Sequence, residues 1–281
     1  MPEEIPQSEY WNGEVGTRWA RMQAELDTVF APLTDAFLGG LALPPGGRVL
    51  DVGCGCGETA LIAAGRLGSG GDVLGVDISQ PMLARARERA QERPGSPEGA
   101  ALTFLEADAQ IHPFAADRDV VLSRFGTMFF DDTAAAFANL LRALRPGGRL
   151  ALLCWRGLPE NPWVARPREA VLTVVPEPVP PAPGGPGPFR FADIAGLEQV
   201  LRRVGFAGVA TERTDRMLQL GHDAADATRF ILTVGPVSGL VRDLDQPLRE
   251  RAAEAVRATL PPSGPVRLAA GCWRVTARRP D

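Results

Sequence analysis

Lysine is missing from the sequence, and all 30 basic residues among its 281 positions are arginine. A Schiff-base lysine and a P-loop lysine are therefore excluded. Arginine suits the recognition of carboxylates and phosphates, although an all-arginine set in a chain this rich in Ala, Gly and Pro equally reflects a GC-rich genome. Histidine occurs only twice, which leaves few side chains for general acid or base catalysis.

Long apolar runs are missing as well. Charged residues recur throughout the chain, and this excludes a transmembrane helix, which needs about 18 or more apolar residues in a row. The opening residues, MPEEIPQSEYWNGE, have neither the basic start nor the apolar stretch of a signal peptide. We therefore expect a cytoplasmic protein that does not insert into membranes.

Basic clusters and metal-ligand spacings are also lacking. The net charge is −4 and no basic run occurs, so we expect no nucleic-acid partner. Four cysteines are too few for a disulfide framework in a chain of this length. Cys54 and Cys56 lie closer together than zinc ligands usually do, with no histidine nearby, so we expect no metal. The oligomeric state stays open, with a homodimer as the candidate assembly.

What the sequence does contain is a regular alternation of apolar strands and helical stretches. This rhythm is typical of right-handed βαβ units. It predicts an α/β, Rossmann-like sheet of seven mostly parallel strands with helices on both faces. The predicted strands are 48–52, 72–76, 101–107, 119–123, 149–155, 209–218 and 266–277.

Two parts of the chain depart from this alternation. A helical pattern over 14–40 predicts an N-terminal helical cap, residues 1–40, ahead of a main domain at 41–281. Inside that domain the alternation stops over about 156–190, where residues 176–188 include ten Pro or Gly in thirteen positions. A long irregular insertion inside a domain is typical of a lid.

The first predicted strand runs into a glycine loop, from Asp51 through Gly53 and Gly55 to Gly57. Bare backbone at such a loop lets a ligand approach closely. The dinucleotide fingerprint needs another glycine where this chain has Glu58. A carboxylate on each side of the loop disfavours a pyrophosphate and suits a ligand with a cationic part, such as an ammonium or a sulfonium.

Acidic residues also end the next two strands. Asp77 ends the second strand, where a carboxylate accepts hydrogen bonds from a ribose diol or merely caps the following helix. Asp108 with Ala109 ends the third strand, where it faces an adenine or forms an ordinary turn. Because acids or glycine turns follow three successive strands, we favour a nucleoside site.

Five ordered segments resemble the motifs of class I S-adenosylmethionine-dependent methyltransferases, in the ubiquinone/menaquinone C-methyltransferase-like branch of bacterial small-molecule enzymes. They are VLDVGCGCGETAL, GVDISQPMLARA, LEADAQ, DVVLSRFGTMFFDD and LRALRPGGRLAL, and they cover residues 46–155. The segments WNGEVGTRW, ENPW and FRFAD resemble the same group more loosely.

The resemblance implies a role for each matching position toward S-adenosylmethionine (SAM) and its product S-adenosylhomocysteine (SAH). Gly53 and Gly55 would contact the methionine part. Asp51 would organise the loop and hold the ammonium, and Asp77 would bind the ribose hydroxyls. Cys56 replaces a Thr that is common in this loop. The other implied contacts are Ile78 and Met82 on adenine, Asp108 and Ala109 on its edge, and Ser123 near the methionine end.

Aromatic residues and one arginine surround these positions in the sequence. We expect Trp11 and Trp19 to contact the cofactor. We expect the acceptor to meet Arg124 and Phe125, which follow the fourth strand, and Trp155 and Trp163. Aromatic walls suit an apolar or cationic acceptor, and equally they can hold the cap in place. Residues 10–20 and 155–190 would form the lid.

His112 follows Asp108 by four residues and is our candidate general base, against the alternative of a packing histidine. We expect a SAM-dependent methyltransferase (EC 2.1.1.-) acting on a small molecule by in-line displacement. Two alternatives stay open: a module that binds SAM or SAH without turnover, and a nicotinamide-dependent oxidoreductase.

Overall fold

The computed structural model of the protein describes residues 5–92, 99–177 and 185–281. Seven strands in these residues form one sheet, in the order β3-β2-β1-β4-β5-β7-β6. Neighbouring strands are parallel except for β5 with β7 and β7 with β6. The predicted Rossmann-like fold is confirmed. The strands are β1 Arg48–Val52, β2 Asp72–Asp77, β3 Ala101–Glu106, β4 Arg118–Arg124, β5 Leu144–Trp155, β6 Ala207–Gly221 and β7 Val266–Arg278.

Strand order reverses where β1 lies between β2 and β4. In open α/β sheets, ligands bind beyond the carboxyl ends of the strands at such a point. The helices that accompany the sheet are α1 Gln7–Asn12, α2 Glu14–Arg21, α3 Gln23–Gly39, α4 Glu58–Leu67, α5 Gln80–Glu92, α6 Thr133–Ala143, α7 Pro162–Leu172, α8 Ile194–Val204, α9 Ala224–Thr233, α10 Ser238–Val241 and α11 Gln246–Ala258.

The N-terminal region contains three helices rather than the single helix predicted over 14–40. Met22 leaves helical geometry (φ −89°, ψ 8°) and separates α2 from α3. Gly13 is extended and separates α1 from α2. These breaks turn the chain so that α1 and α2 lie beside α5 and the loop before it. The apolar periodicity continues across Met22, which is why it suggested one helix.

The insertion is more regular than its sequence indicates. Helix α7 occupies part of it, with Pro162 in its first turn, where proline is tolerated because the first amides have no helical partner. Trp163, Val164 and Val171 are buried and hold the helix against the core. Residues 178–184 of the proline-rich stretch lie outside the described residues.

The cap and the sheet share one hydrophobic cluster. Leu33 and Phe37 of α3 are fully buried together with the sheet residues Leu50 and Leu122. The boundary predicted at residue 40 stays a prediction. In the described part of the chain, no helix has the length and apolar character needed to span a membrane.

Candidate active site

One cavity of about 350 Å³ lies at the carboxyl ends of β1 to β5. Its lining on one side follows β2 and β3 and includes two carboxylates; we call residues 53–55, 76–82 and 107–110 the acidic half. On the other side it follows β4 and β5 and is rich in rings; we call residue 30 with 124–130, 155–163 and 230–242 the aromatic half. Helices α1 and α2 contribute lining residues over both.

The glycine loop is held in a conformation that side chains resist. Gly53 and Gly55 have positive φ values of 66° and 52°. A Cβ atom at Gly53 would lie 2.6 Å from Gly126 Cα, and one at Gly55 would lie 2.8 Å from Met82 Cε. Backbone and thioether therefore approach the loop more closely than any side chain allows.

Asp77 connects the glycine loop to the following helix. Its carboxylate accepts hydrogen bonds from the amides of Gly55 (2.8 Å) and Ser79 (2.9 Å), while the residue also lines the cavity. Burial raises the pKa of Asp77 above its ordinary value, opposed by these amide bonds. Each carboxylate oxygen accepts more than one hydrogen bond, so capacity remains for a ligand hydroxyl.

Asp108 occupies the equivalent position after β3. It accepts hydrogen bonds from the backbone amide (2.8 Å) and the side-chain amide (3.2 Å) of Gln110. Gln110 in turn accepts from the amide of Asp132 at 3.0 Å. Asp108 therefore forms a turn and is also available to a ligand, because it lines the cavity next to Ala109. Ile78 and Met82 complete the acidic half as predicted lining residues.

In the aromatic half, Phe125 stacks on Trp155 with ring centroids 4.1 Å apart and planes at 6°. Trp163 lies 5.1 Å from Trp155 and Phe30 lies 5.8 Å from Trp163. Among the described residues other than glycine, Phe125 alone has a positive φ, at 67°. Such a conformation is uncommon for a bulky residue and often marks a functional site.

A second ring cluster covers the cavity from α1 and α2. Trp11 contacts Trp19 and Phe129 edge-to-face at 5.8 and 5.2 Å, and all three line the cavity. Helix α1 is tied down by polar contacts, since Ser79 Oγ donates to the Trp11 carbonyl at 2.7 Å. Asn12 adds a donor bond to the Ile78 carbonyl at 2.8 Å.

Arg124 reaches the cavity lining but is already paired. Its guanidinium forms an ion pair with Glu58 and donates to the hydroxyl of Thr34. Burial raises the pKa of Glu58, and the charge of Arg124 opposes that shift. Glu58 stands where the dinucleotide fingerprint has its third glycine, which serves the close packing of helix against strand, so the loop departs from a dinucleotide site at this position.

Two predicted contact residues lie beneath the cavity and not on its surface. Asp51 is fully buried and accepts a hydrogen bond from Thr59 Oγ1 at 2.5 Å, consistent with organising the loop. Burial raises its pKa to about 7, against the lowering effects of Thr59 and Arg124. Ser123 is fully buried and donates to the Val52 carbonyl at 2.7 Å. Its hydroxyl joins β4 to β1 and Ser123 does not line the cavity, so its contact with the cofactor stays a prediction.

His112, the candidate base, is also outside the cavity lining. Its ring lies 4.8 Å from Phe114, and its carbonyl accepts from Asn139 Nδ2 at 2.8 Å. The turn after Asp108 directs the chain away from the cavity, and the packing interpretation describes this histidine better. A direct catalytic role for His112 has no support from its position.

A segment that the sequence did not single out completes the aromatic half. Phe230, Thr233, Gly235 and Arg242 line the cavity from α9, α10 and their connection. The Gly235-Pro236 pair signals a turn, but nothing local indicates which surface that turn covers. In the described residues, no cluster of three or more His, Cys, Asp or Glu side chains is arranged to hold a metal ion.

Comparison with known proteins connects this geometry to a family. A model described as a methyltransferase domain matches residues 49–148. The 2-phytyl-1,4-naphtoquinone methyltransferase of Nostoc punctiforme is 34% identical over 181 residues, which are 60% of this chain and 76% of that protein. The chain belongs to the class I SAM-dependent methyltransferases. Its branch is the ubiquinone/menaquinone-like one, as the sequence motifs predicted.

Two further matches of this chain are shorter or more distant. An uncharacterised protein of Mycobacterium bovis is 38% identical over 130 residues, but the match covers 46% of this chain and only 44% of that protein. The chain thus spans about half the length of the curated relatives it matches first. Haemonchus contortus phosphoethanolamine N-methyltransferase 2, solved in complex with SAM, shares the fold at a TM-score of 0.59 and 18% identity, over 100% of this chain and 62% of that one.

Proposed function

We propose that the protein transfers a methyl group from SAM to a small-molecule acceptor by in-line displacement. The observation that carries this proposal is the cavity at the carboxyl ends of the strands, in which the acidic half adjoins the aromatic half across the glycine loop. The two halves provide for two ligands that meet at Gly53, Gly55 and Phe125. A site for one ligand alone would not need the second half.

The residues of the acidic half fit the cofactor. Asp77 would hold the ribose hydroxyls, and Asp108 with the backbone of Ala109 would hold the adenine edge. Ile78 and Met82 provide apolar surface on the cavity wall, suited to the adenine faces. The bare loop at Gly53 and Gly55 leaves room for the methionine part. Asp51 supports the loop from beneath without direct contact with the cofactor.

When bound, the cofactor supplies a methyl group on a sulfonium, a leaving group that needs no covalent nucleophile on the protein. The chain therefore contributes mainly by positioning, which can provide several kcal/mol of a barrier. Phe125 and Trp155 orient the acceptor, and Trp11 with Trp19 closes the cavity against water. The described lining contains no histidine, so an acceptor that is already ionised suits the site.

Two measurements test this proposal. Calorimetry should show SAH binding to the purified protein, and tritiated SAM should label an acceptor from a panel of quinols, phenols and aromatic acids. Absence of SAH binding would contradict the proposal. Binding without methyl transfer to any acceptor favours the alternative of a module that binds the cofactor without turnover.

The nicotinamide oxidoreductase is the weaker alternative, because Glu58 and Arg124 occupy the place of the third glycine. Titration of the protein with NADH, followed by nicotinamide fluorescence, should show no saturable binding. Cytoplasmic location and homodimer formation remain predictions, as does the absence of nucleic-acid partners.

A further inference from the structure

The charged side chains that line the cavity fall into distinct groups. Asp77 and Asp108 lie in the acidic half and accept hydrogen bonds from neighbouring amides. Arg124 is neutralised by Glu58. The remaining charged lining residues are Arg18, Asp131 and Arg242.

Arg242 differs from other arginines with buried nitrogen atoms. In the described residues, four arginines have an Nε atom that is buried without a hydrogen-bond partner. Three of them, Arg118, Arg156 and Arg274, form salt bridges through their other nitrogens. Arg242 forms none with any described residue and lines the cavity. Its side chain is half-buried, so the Nε without a partner is a donor that a ligand in the cavity can satisfy.

The connection that precedes Arg242 places it in the aromatic half. A side-chain carbon built at Gly235 would lie 3.6 Å from the Trp163 ring. Arg18 Nη1 donates to the Thr233 carbonyl at 3.4 Å, and its nearest carboxylate, Glu14, is 3.8 Å away on an 84% exposed side chain. Arg18 thus contacts the end of α9 and Arg242 follows α10, so both arginines lie on the side of the cavity that the aromatic half lines, whereas Asp77 and Asp108 lie in the acidic half.

We propose that the aromatic half binds an aromatic acceptor with an acidic group, and that Arg242 pairs with that group. The inference rests on the proposed function and names its substrate class. The guanidinium fork matches a carboxylate in two parallel hydrogen bonds. The rings of Phe125, Trp155 and Trp163 provide flat surfaces for an aromatic body. The acid would satisfy the buried Nε and neutralise the charge of the guanidinium.

The test uses 2-naphthoate and its neutral counterpart 2-naphthamide as probes, titrated by calorimetry into the full chain saturated with SAH. Wild-type protein should bind the acid about ten- to a hundredfold more tightly than the amide, as expected for hydrogen bonds to a charged group. Arg242→Met should remove this preference. Arg251→Met makes the same change at an exposed position of α11 that does not line the cavity, and this variant should retain the preference for the acid.

Equal affinity for acid and amide in wild type, or no binding of either, overturns the inference. A loss of SAH affinity in Arg242→Met as large as the loss of naphthoate affinity also overturns it, because the arginine would then hold the cofactor carboxylate. Thermal unfolding of each variant excludes misfolding as the cause. If wild type binds no SAH, the proposed function fails, and the acid–amide comparison without SAH still decides this inference.

Discussion

In the acidic half, the polar groups that face the cavity follow directly after β1, β2 and β3, and backbone amides position them. In the aromatic half, the lining comes from α3, β4, β5, α7 and the α9–α10 connection, which are up to about 200 residues apart in the chain. One half is held by local hydrogen bonds and the other by ring packing between distant segments. The structure of the acidic half therefore depends on few residues, whereas the residues that line the aromatic half can change without altering the sheet.

This difference predicts where substitutions act. Changes in the acidic half should alter cofactor affinity and stability together, because Asp77 and the glycine loop serve both. Changes in the aromatic half should mainly alter the choice of acceptor. The following variants test this division, beginning with the largest expected effect.

Gly53→Ala should have the largest effect. It places a side chain at φ 66° and 2.6 Å from Gly126 Cα. Left-handed strain and overpacking against backbone together cost about 2–5 kcal/mol of unfolding free energy. Urea unfolding measures the stability and calorimetry the SAH affinity, and both should fall.

Gly70→Ala is the matched control, because Gly70 has φ 81° and no atom within 4 Å of an added Cβ. Gly70→Ala should lose only the unfolding free energy that left-handed strain costs, and its SAH affinity should equal that of wild type. If the two variants lose equal stability, the close approach of Gly126 to the loop has no energetic importance.

Asp51→Asn should change how stability depends on pH. The pKa of Asp51 is raised to about 7, whereas it is about 3.9 in an unfolded chain. At a pH between these two pKa values, the unfolded state has lost a proton that the folded state retains. Wild type should therefore lose stability as pH rises from about 4 to 7, by about 4 kcal/mol at most relative to the variant.

Urea unfolding of both proteins at several pH values gives this difference directly. Parallel stability curves across the interval would show that Asp51 is ionised in the folded protein at low pH. The buried carboxylate would then be stabilised by more than Thr59 and Arg124.

Asp77→Asn should weaken SAH binding about ten- to a hundredfold, since a hydrogen bond to a charged group contributes about 1.5–3 kcal/mol. The amide retains one acceptor oxygen, so part of the loop anchoring survives. Asp119 also accepts from a backbone amide, that of Arg48 at 2.7 Å, but it lies at the opposite end of the sheet. Asp119→Asn is therefore the control and should leave the SAH affinity unchanged. If Asp77→Asn also leaves it unchanged, Asp77 does not bind the ribose.

The same division explains what the sequence could predict. Asp77, Asp108, Gly53 and Gly55 line the cavity because a strand end fixes their position locally, and their contacts with the cofactor stay predictions. Ser123 is absent from the lining, because its side chain is buried on a covered sheet and bonds to the neighbouring strand instead. Arg242 could not be predicted, since only tertiary packing brings the α9–α10 connection against Trp163. The positive φ of Phe125 has no sequence signal, because bulky residues rarely adopt it.

The lid that we expect from residues 10–20 and 155–190 includes two helices that differ in how firmly the rest of the protein holds them. Helix α1 has six residues, none of them buried, and polar contacts such as the one from Ser79 to Trp11 hold it. Helix α7 buries Trp163 and Val171 in the core. Segments with few buried contacts open at low free energy. We therefore expect α1 to open and close over the cavity while α7 forms a fixed wall.

Hydrogen exchange with and without SAH distinguishes these roles. At a free SAH concentration ten times its Kd, closure linked to binding slows exchange about tenfold, or about 1.4 kcal/mol. This slowing should appear in residues 6–13 and be absent from α7 and from α8, which lines no part of the cavity. If α1 exchanges equally fast with bound SAH, it does not close over the cofactor. Equal slowing in α7 would instead indicate that the aromatic half also opens, and the contrast between the halves would then concern their contacts alone.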